Sequence, residues 1–216
     1  MRFPLRLGGT TIGRTVTLIR LMSGEVVIHS TAPFAASDIA RISALGRPAA
    51  LVEATLFHDT FARSAQGLYP GVPFFAPEGF DKVAKVSARC LTNPALAWKG
   101  ELEVLRLEGM PKVQEYAFLH CPSRTLVLAD LVFNFGSAVT PWTRLFFRWI
   151  AGVTRSPGMS RMFRLMIRDR EAFAESVLQM MEWDFDRVVV AHGDVIASGG
   201  KSKLGAALSQ CGYLTQ

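Results

Sequence analysis

Apolar residues run or alternate along most of this chain, and turn residues break the pattern at short intervals. Thr15 to Leu21 and Glu25 to Ser30 flank Met22-Ser23-Gly24, which predicts a hairpin. Ser37 to Leu45 follows at helical spacing, with Ser37 placed as its N-cap. Ala49 to Leu56 is near-continuously apolar, the pattern of a strand covered on both faces. A helical or irregular piece runs from there to Tyr69-Pro70-Gly71. A short strand is predicted over Val72 to Phe75 and a short helix over Glu78 to Val86. Leu102 to Leu107, Glu115 to His120 and Thr125 to Ala129 form three further strands. Beyond Pro141 come two amphipathic helices broken at Ser156-Pro157-Gly158, then a helix over Glu171 to Met181. The strand Arg187 to Val190 and a helix over Lys201 to Gln210 close the chain. Meander-like strands first and helix-framed strands later imply an α/β (α+β) fold with two sheets covered by helices. The length suits a single domain over residues 1–216.

Composition narrows the class. Half of the 216 residues are hydrophobic and mean hydropathy is +0.24, so a sizeable core is available. Charged residues at 19% and aromatics at 10% exclude a disordered chain. Cys90, Cys121 and Cys211 are scattered, with no CxxC pair, which argues against a disulfide framework or a thiolate zinc site. With no apolar signal-type segment near Met1 and no membrane-length apolar run, a cytoplasmic protein with reduced thiols is expected.

Charge is concentrated in one place. Between Pro141 and Arg170 lie Arg144, Arg148, Arg155, Arg161, Arg164, Arg168 and Arg170 against the single acid Asp169, which accounts for the whole net charge of +6. Their i+3 and i+4 spacing, mixed with Trp142, Phe146, Phe147, Trp149, Met162 and Met166, marks an Arg-rich helical insertion over about 141–170. Such a face serves as a lid, a membrane-surface element, a nucleic-acid-binding face or a homodimer contact, or it is a packed helical pair with solvated arginines.

Candidate chemistry gathers at strand ends. The strand Arg187 to Val190 delivers Ala191-His192-Gly193-Asp194, Ala49 to Leu56 runs into Phe57-His58-Asp59, and Thr125 to Ala129 runs into Asp130. Loops at the carboxyl ends of strands are where α/β proteins place reactive groups, and this mix of His and Asp suits a metal. His29 and His120 are read as structural histidines. Cys121 and His120 cannot form a nucleophilic pair, because adjacent strand residues face opposite ways. Gly199-Gly200-Lys201-Ser202 lacks the upstream glycine of a phosphate-binding loop and leads into the last helix. Glu115 has no spacing that requires it to face the site.

The element order, with Phe57-His58-Asp59, Leu128-Ala129-Asp130 and Val190-Ala191-His192-Gly193, resembles the metallo-β-lactamase superfamily of metallo-hydrolases and oxidoreductases. Val27-Ile28-His29-Ser30, Glu115-Tyr116-Ala117-Phe118 and Ser123 to Asn134 are similar, more narrowly, to a branch of it defined as a domain of unknown function. The likeness spans roughly residues 15 to 210. It implies a four-layer αβ/βα sandwich with the site at one edge, between the sheets.

The chain departs from that superfamily's His-x-His-x-Asp-His motif. With Asp59 as the motif's acid, its histidine positions hold Thr55, Phe57 and Thr60, and His58 falls between them. No histidine stands near Gly109-Met110-Pro111, where a further ligand is expected. The bridging acid matches Asp130 and the last histidine His192. The resemblance therefore implies one metal ion, Zn, Fe or Mn, held by Asp59, Asp130 and His192. His58 is then a fourth ligand or a proton shuttle, and Asp194 orients His192. The alternative is a metal-free site in which these groups bond one another. The functions expected are hydrolysis of a small ester, thioester, lactone or phosphoester, with basic helices suited to attracting an anionic one, or non-catalytic binding of a partner, membrane surface or polyanion through the Arg-rich helices.

Overall fold

A computed structural model describes residues 1–7, 10–93, 95, 98–136, 145, 152–153 and 156–214. Most of the first of the two basic helices, with Arg144, Arg148, Arg155 and all of its aromatic residues, lies outside them.

The N-terminal stretch forms four two-residue strands that periodicity does not signal: β1 (Arg2–Phe3), β2 (Arg6–Leu7), β3 (Thr10–Thr11) and β4 (Arg14–Thr15). β1 pairs with β4, and β2 with β3, both antiparallel. The predicted hairpin is β5 (Thr17–Arg20) against β6 (Glu25–His29). Helix α1 (Ala36–Leu45) starts at Ala35 rather than Ser37, because the Asp38 carboxylate accepts the Ala35 N–H at 3.1 Å and closes the first turn. It returns the chain to β7 (Arg47–Val52), parallel to β6. Helix α2 (Ala62–Leu68) leads to β8 (Phe74–Ala76), and α3 (Phe80–Ala84) to β9 (Arg89–Cys90), each strand parallel to the one before. The first sheet thus has the order β5-β6-β7-β8-β9.

The second sheet is β10 (Leu102–Arg106), β11 (Tyr116–His120), β12 (Thr125–Leu128) and β13 (Arg187–Val190). Its first three strands form an antiparallel meander, and β13 joins parallel to β12 after a helical crossover. Helix-framed strands therefore come mainly first and the meander later, the reverse of the sequence reading. The reason is that single helices link β6 to β7 and β8 to β9, so those strands must run parallel.

The crossover contains α4 (Arg161–Met166) and α5 (Arg170–Glu182), and α6 (Gly200–Ser209) follows β13. Ser160 caps α4 by accepting the Phe163 N–H, and Asp169 caps α5 by accepting two N–H groups. Phe173, Val177 and Met180 of α5 recur at i, i+4 and i+7 and face inward.

Three apolar layers hold the elements together. Val27, Ala50, Val52 and Phe75 of the first sheet meet Tyr116, Phe118, Val127 and Val189 of the second. The alternate residues Val26, Ile28, Leu51 and Phe74 pack outward onto Ile42 of α1, Ala62 of α2 and Phe80 of α3. Ala117, Leu126, Leu128, Val188 and Val190 pack onto Phe163, Phe173, Val177, Leu204 and Leu208. The result is helices, sheet, sheet, helices. Both central layers are covered on both faces, as the uninterrupted apolar run of β7 requires.

Candidate metal centre

Strands β7, β12 and β13 end at one edge of the sandwich, and the turns beyond them bring together His58, Asp130 and His192. These residues are 4%, 9% and 4% exposed. One donor atom from each lies within 4.8 Å of the others.

The β7 turn is set by Thr55, which occupies a motif histidine position but is used structurally. Its hydroxyl donates to the Val113 carbonyl at 3.1 Å and accepts the Phe57 N–H. The turn directs His58 into the protein and leaves Asp59 half-buried, outside the His58–Asp130–His192 cluster. The one-residue choice left open by the sequence thus falls to His58, since neighbouring side chains on this turn point differently. His58 Nε2 stands 3.4 Å from Asp130 Oδ1, and His58 Nδ1 stands 3.6 Å from Glu53 Oε2. Neither ring nitrogen has a hydrogen-bond partner among the described residues.

His192 is oriented from the other side. Its Nδ1 lies 2.7 Å from the Gly13 carbonyl oxygen, which only accepts, so Nδ1 carries the proton and donates. Nε2 is turned to Asp130 Oδ1 at 3.3 Å, and Phe133 stacks on the ring at 5.6 Å. Asp194, expected to orient His192, faces away: its carboxylate pairs with Arg2 at 2.6 Å, half-exposed. The carbonyl of Gly13 takes the role instead, because β4 lies against this edge through a bond from the Thr15 N–H to the Ala191 carbonyl.

Two buried acids support the cluster. Glu53 is wholly buried behind His58, where its Oε1 accepts from Arg14 Nη2 at 2.7 Å and from the Thr31 amide and hydroxyl at 2.7 and 2.5 Å. Ser30, at φ +72°, takes the left-handed turn that precedes Thr31. Glu115, equally buried, accepts the N–H groups of Ala129, Asp130 and Leu131 at 3.0–3.1 Å and so fixes the turn that carries Asp130. Sequence reading missed the roles of Arg14 and Glu53 and left Glu115 unassigned. One signal for Glu53 was available: an acid inside the apolar run Ala50-Leu51-Val52-Glu53-Ala54 is buried only if paired.

Charge in the cluster is tightly linked. Burial opposes a charged His58 ring, but the Asp130 carboxylate, aided by Glu53, prevails and raises its pKa to about 9. Burial likewise works against ionisation of Asp130, and the two imidazoles overcome it, holding the carboxyl far below its ordinary range. Burial disfavours the Glu53 carboxylate too, yet Arg14, His58 and Thr31 keep its pKa lowered. Glu115 is pushed up to about 8 by burial and by the charge of Asp130, against the pull of the backbone amides.

Two imidazoles and a carboxylate are a donor set for zinc or iron, with further coordination positions left open. The fit is supported by the unpartnered nitrogens of His58 and by His192. A neutral His192 with its proton on Nδ1 faces Asp130 with a lone pair, which is unfavourable unless a cation or proton lies between them. A cavity of about 480 Å³ opens onto the cluster, walled largely by Leu5, Ile12, Phe57, Phe133, Met162, Phe163 and Met166.

His29 and His120 stay outside the cluster. His29 lies edge-on to Phe118, and His120 Nδ1 meets Ser123 Oγ at 2.7 Å. Cys90, Cys121 and Cys211 are free and half-buried. Among the described residues, no helix is long and apolar enough to cross a membrane.

No protein-family model and no curated protein matches the chain. Solved structures match over nearly its whole length. A metallo-β-lactamase from Erythrobacter litoralis, with β-mercaptoethanol in its active site, superposes with a TM-score of 0.65 at 13% identity, covering 97% of this chain and 91% of that one. The DIM-1 metallo-β-lactamase exposed to ceftazidime gives 0.64 at 13%, over 97% and 91%. The FIM-1 metallo-β-lactamase from Pseudomonas aeruginosa in its mono-zinc form gives 0.59 at 11%, over 99% and 91%. At these identities the likeness speaks for architecture, and it agrees with the layers and the strand-end cluster: this chain has the metallo-β-lactamase fold.

Proposed function

We propose that the protein is a metal-dependent hydrolase of a small ester-type substrate, with one ion of zinc, iron or manganese held by His58, Asp130 and His192. The observation that carries this reading is the convergence of donor atoms from three buried residues within 4.8 Å on the floor of a cavity. When bound, such an ion supplies Lewis acidity and a nucleophile at neutral pH. The chain does the rest. Gly13 holds the His192 proton on Nδ1 and keeps Nε2 free. Glu115 holds the backbone under Asp130, and Glu53 lies behind His58, where it favours the ring orientation that presents Nε2. The apolar walls keep bulk water from the reacting bond. Hydrolysis of an ester or thioester then places the hydroxyl of water on the acyl carbon, breaks the C–O or C–S bond and gives the remaining proton to the leaving group.

Metal analysis of the purified protein tests this. About one equivalent of metal is expected in the wild type and in Asp59→Ala, with loss in His58→Ala and in Asp130→Ala/His192→Ala. No metal in any of them after reconstitution with Zn²⁺, Fe²⁺ and Mn²⁺ overturns the proposal. Retention in His58→Ala with loss in Asp59→Ala would return the assignment to Asp59.

A further inference from the structure

The cavity above the cluster has two distinct parts. Its floor is polar, formed by Arg14, His58, Asp130 and His192, and its walls are largely apolar, with Thr60 and Ser160 the polar residues among the described ones. Phe163 and Ile12 are buried at 3% and 7% exposure, whereas Met162 and Phe57 at the rim are 57% and 41% exposed. Helix α4 supplies one wall because Met162, Phe163 and Met166 follow its i, i+1, i+4 positions, while Arg161 and Arg164 do not line the cavity. At about 480 Å³ the space falls in the range of small-molecule sites.

Charge decides what fits there. Among the described lining residues Arg14 is the one guanidinium, and it is 2% exposed with Nη2 bonded at 2.7 Å to the wholly buried Glu53. Its charge is already neutralised. Asp130, also on the floor, repels a second anion. A carboxylate or phosphate held against the apolar walls of the metal-free protein would lose its hydration, and among the described lining residues the cations Arg14 and His58 are already matched by Glu53 and Asp130. An uncharged chain gains from the same walls, since each buried methylene contributes about 0.8 kcal/mol, or about fourfold in affinity.

We infer that this cavity is an acyl-chain site, and that the substrate is an ester or thioester whose acyl part is an uncharged apolar chain rather than an anionic compound attracted by the Arg-rich helices. The reaction rests on the hydrolase reading above; the binding does not.

The test uses the full chain as purified, with and without chelator, carrying ¹³C-methyl methionine. Butanamide, hexanamide, octanamide and octanoate are titrated while the Met162 and Met166 methyl resonances are followed. Shifts at both methyls are expected, with affinity rising about 15-fold for each two-carbon step and, in the chelated protein, octanoate binding at least tenfold more weakly than octanamide. In Met162→Gln/Met166→Gln, octanamide should lose most of this gain; if that variant does not fold, the wild-type chain-length series alone decides. Affinity flat with chain length, or octanoate equal to octanamide in the chelated protein, overturns the inference. Because binding is read without turnover, a protein that holds no metal would lose the hydrolase reading and still answer this question.

Discussion

His29 and Glu53 are separate buried titratable groups near the site, and their surroundings drive them in ways that can be measured. Glu53 keeps its charge because Arg14 and Thr31 meet it, and removing Arg14 would leave a buried charge uncompensated. His29 is 2% exposed against Phe118 at 4.9 Å, and burial, outweighing the opposing pull of the Glu53 charge, lowers its pKa to about 4. Between pH 4 and about 6.5 the unfolded chain binds a proton at this histidine that the folded chain refuses. Its contribution to stability is therefore whole above about pH 6.5 and is lost as pH falls through 4, by on the order of 3 kcal/mol in all. Urea midpoints of wild type and His29→Phe, compared from pH 7 to 4, should show the wild type losing more over this window. Parallel curves would show that His29 does not titrate as its burial implies.

At the scale of the element, the turn after β13 is the most constrained part of the site. Gly193 has φ +120°, and a Cβ there would stand 2.2 Å from the Asn134 carbonyl oxygen. The Asn134 N–H donates to the His192 carbonyl at 3.2 Å, the Asp194 N–H donates to the Asn134 carbonyl at 2.7 Å, and Asn134 Nδ2 donates to the Asp194 carbonyl at 2.7 Å. The turns that carry Asp130 and His192 are laced together at that point. Gly193→Ala should cost about 2 kcal/mol or more, since backbone rather than a flexible side chain must give way. It should also weaken metal binding by about 10- to 100-fold, like loss of a supporting contact. Urea unfolding and a zinc titration read the two effects; a variant with unchanged zinc affinity would show that this turn does not position His192. Periodicity found β13, α5, α6 and the strands of the second sheet within a residue or two. It could not find β1 to β4, because a two-residue strand carries no period. The start of α1 shifted because Asp38, reaching back to Ala35, outweighed a serine at position 37.

Across the whole molecule, the donor set ties the first sheet to the second: His58 follows β7, whereas Asp130 and His192 follow β12 and β13. A metal there would link the two halves of the sandwich and stabilise the native state alone. At free zinc a thousandfold above Kd the gain is about 4 kcal/mol. For a chain of this size chelation should then lower Tm by roughly 10 °C. Thermal unfolding with zinc and with chelator checks this, and Asp130→Ala should abolish the difference. A wild-type Tm indifferent to zinc would speak against a site that bridges the sheets.

Most strands and helices of the two sheets, and the presence of His and Asp at the ends of three apolar strands, were determined by the sequence alone. Those are local facts, written in side-chain period and in the residues just beyond each apolar run. Only the tertiary structure decided which members of that set meet. His58 rather than Asp59 reaches Asp130, since a turn anchored by Thr55 to Val113 aims it inward. His192 is held by Gly13, 179 positions away, rather than by its near neighbour Asp194. Glu53 is matched with Arg14 across 39 positions. Pairings over such separations depend on how two sheets and an N-terminal strand close against one another, and no local pattern records that closure.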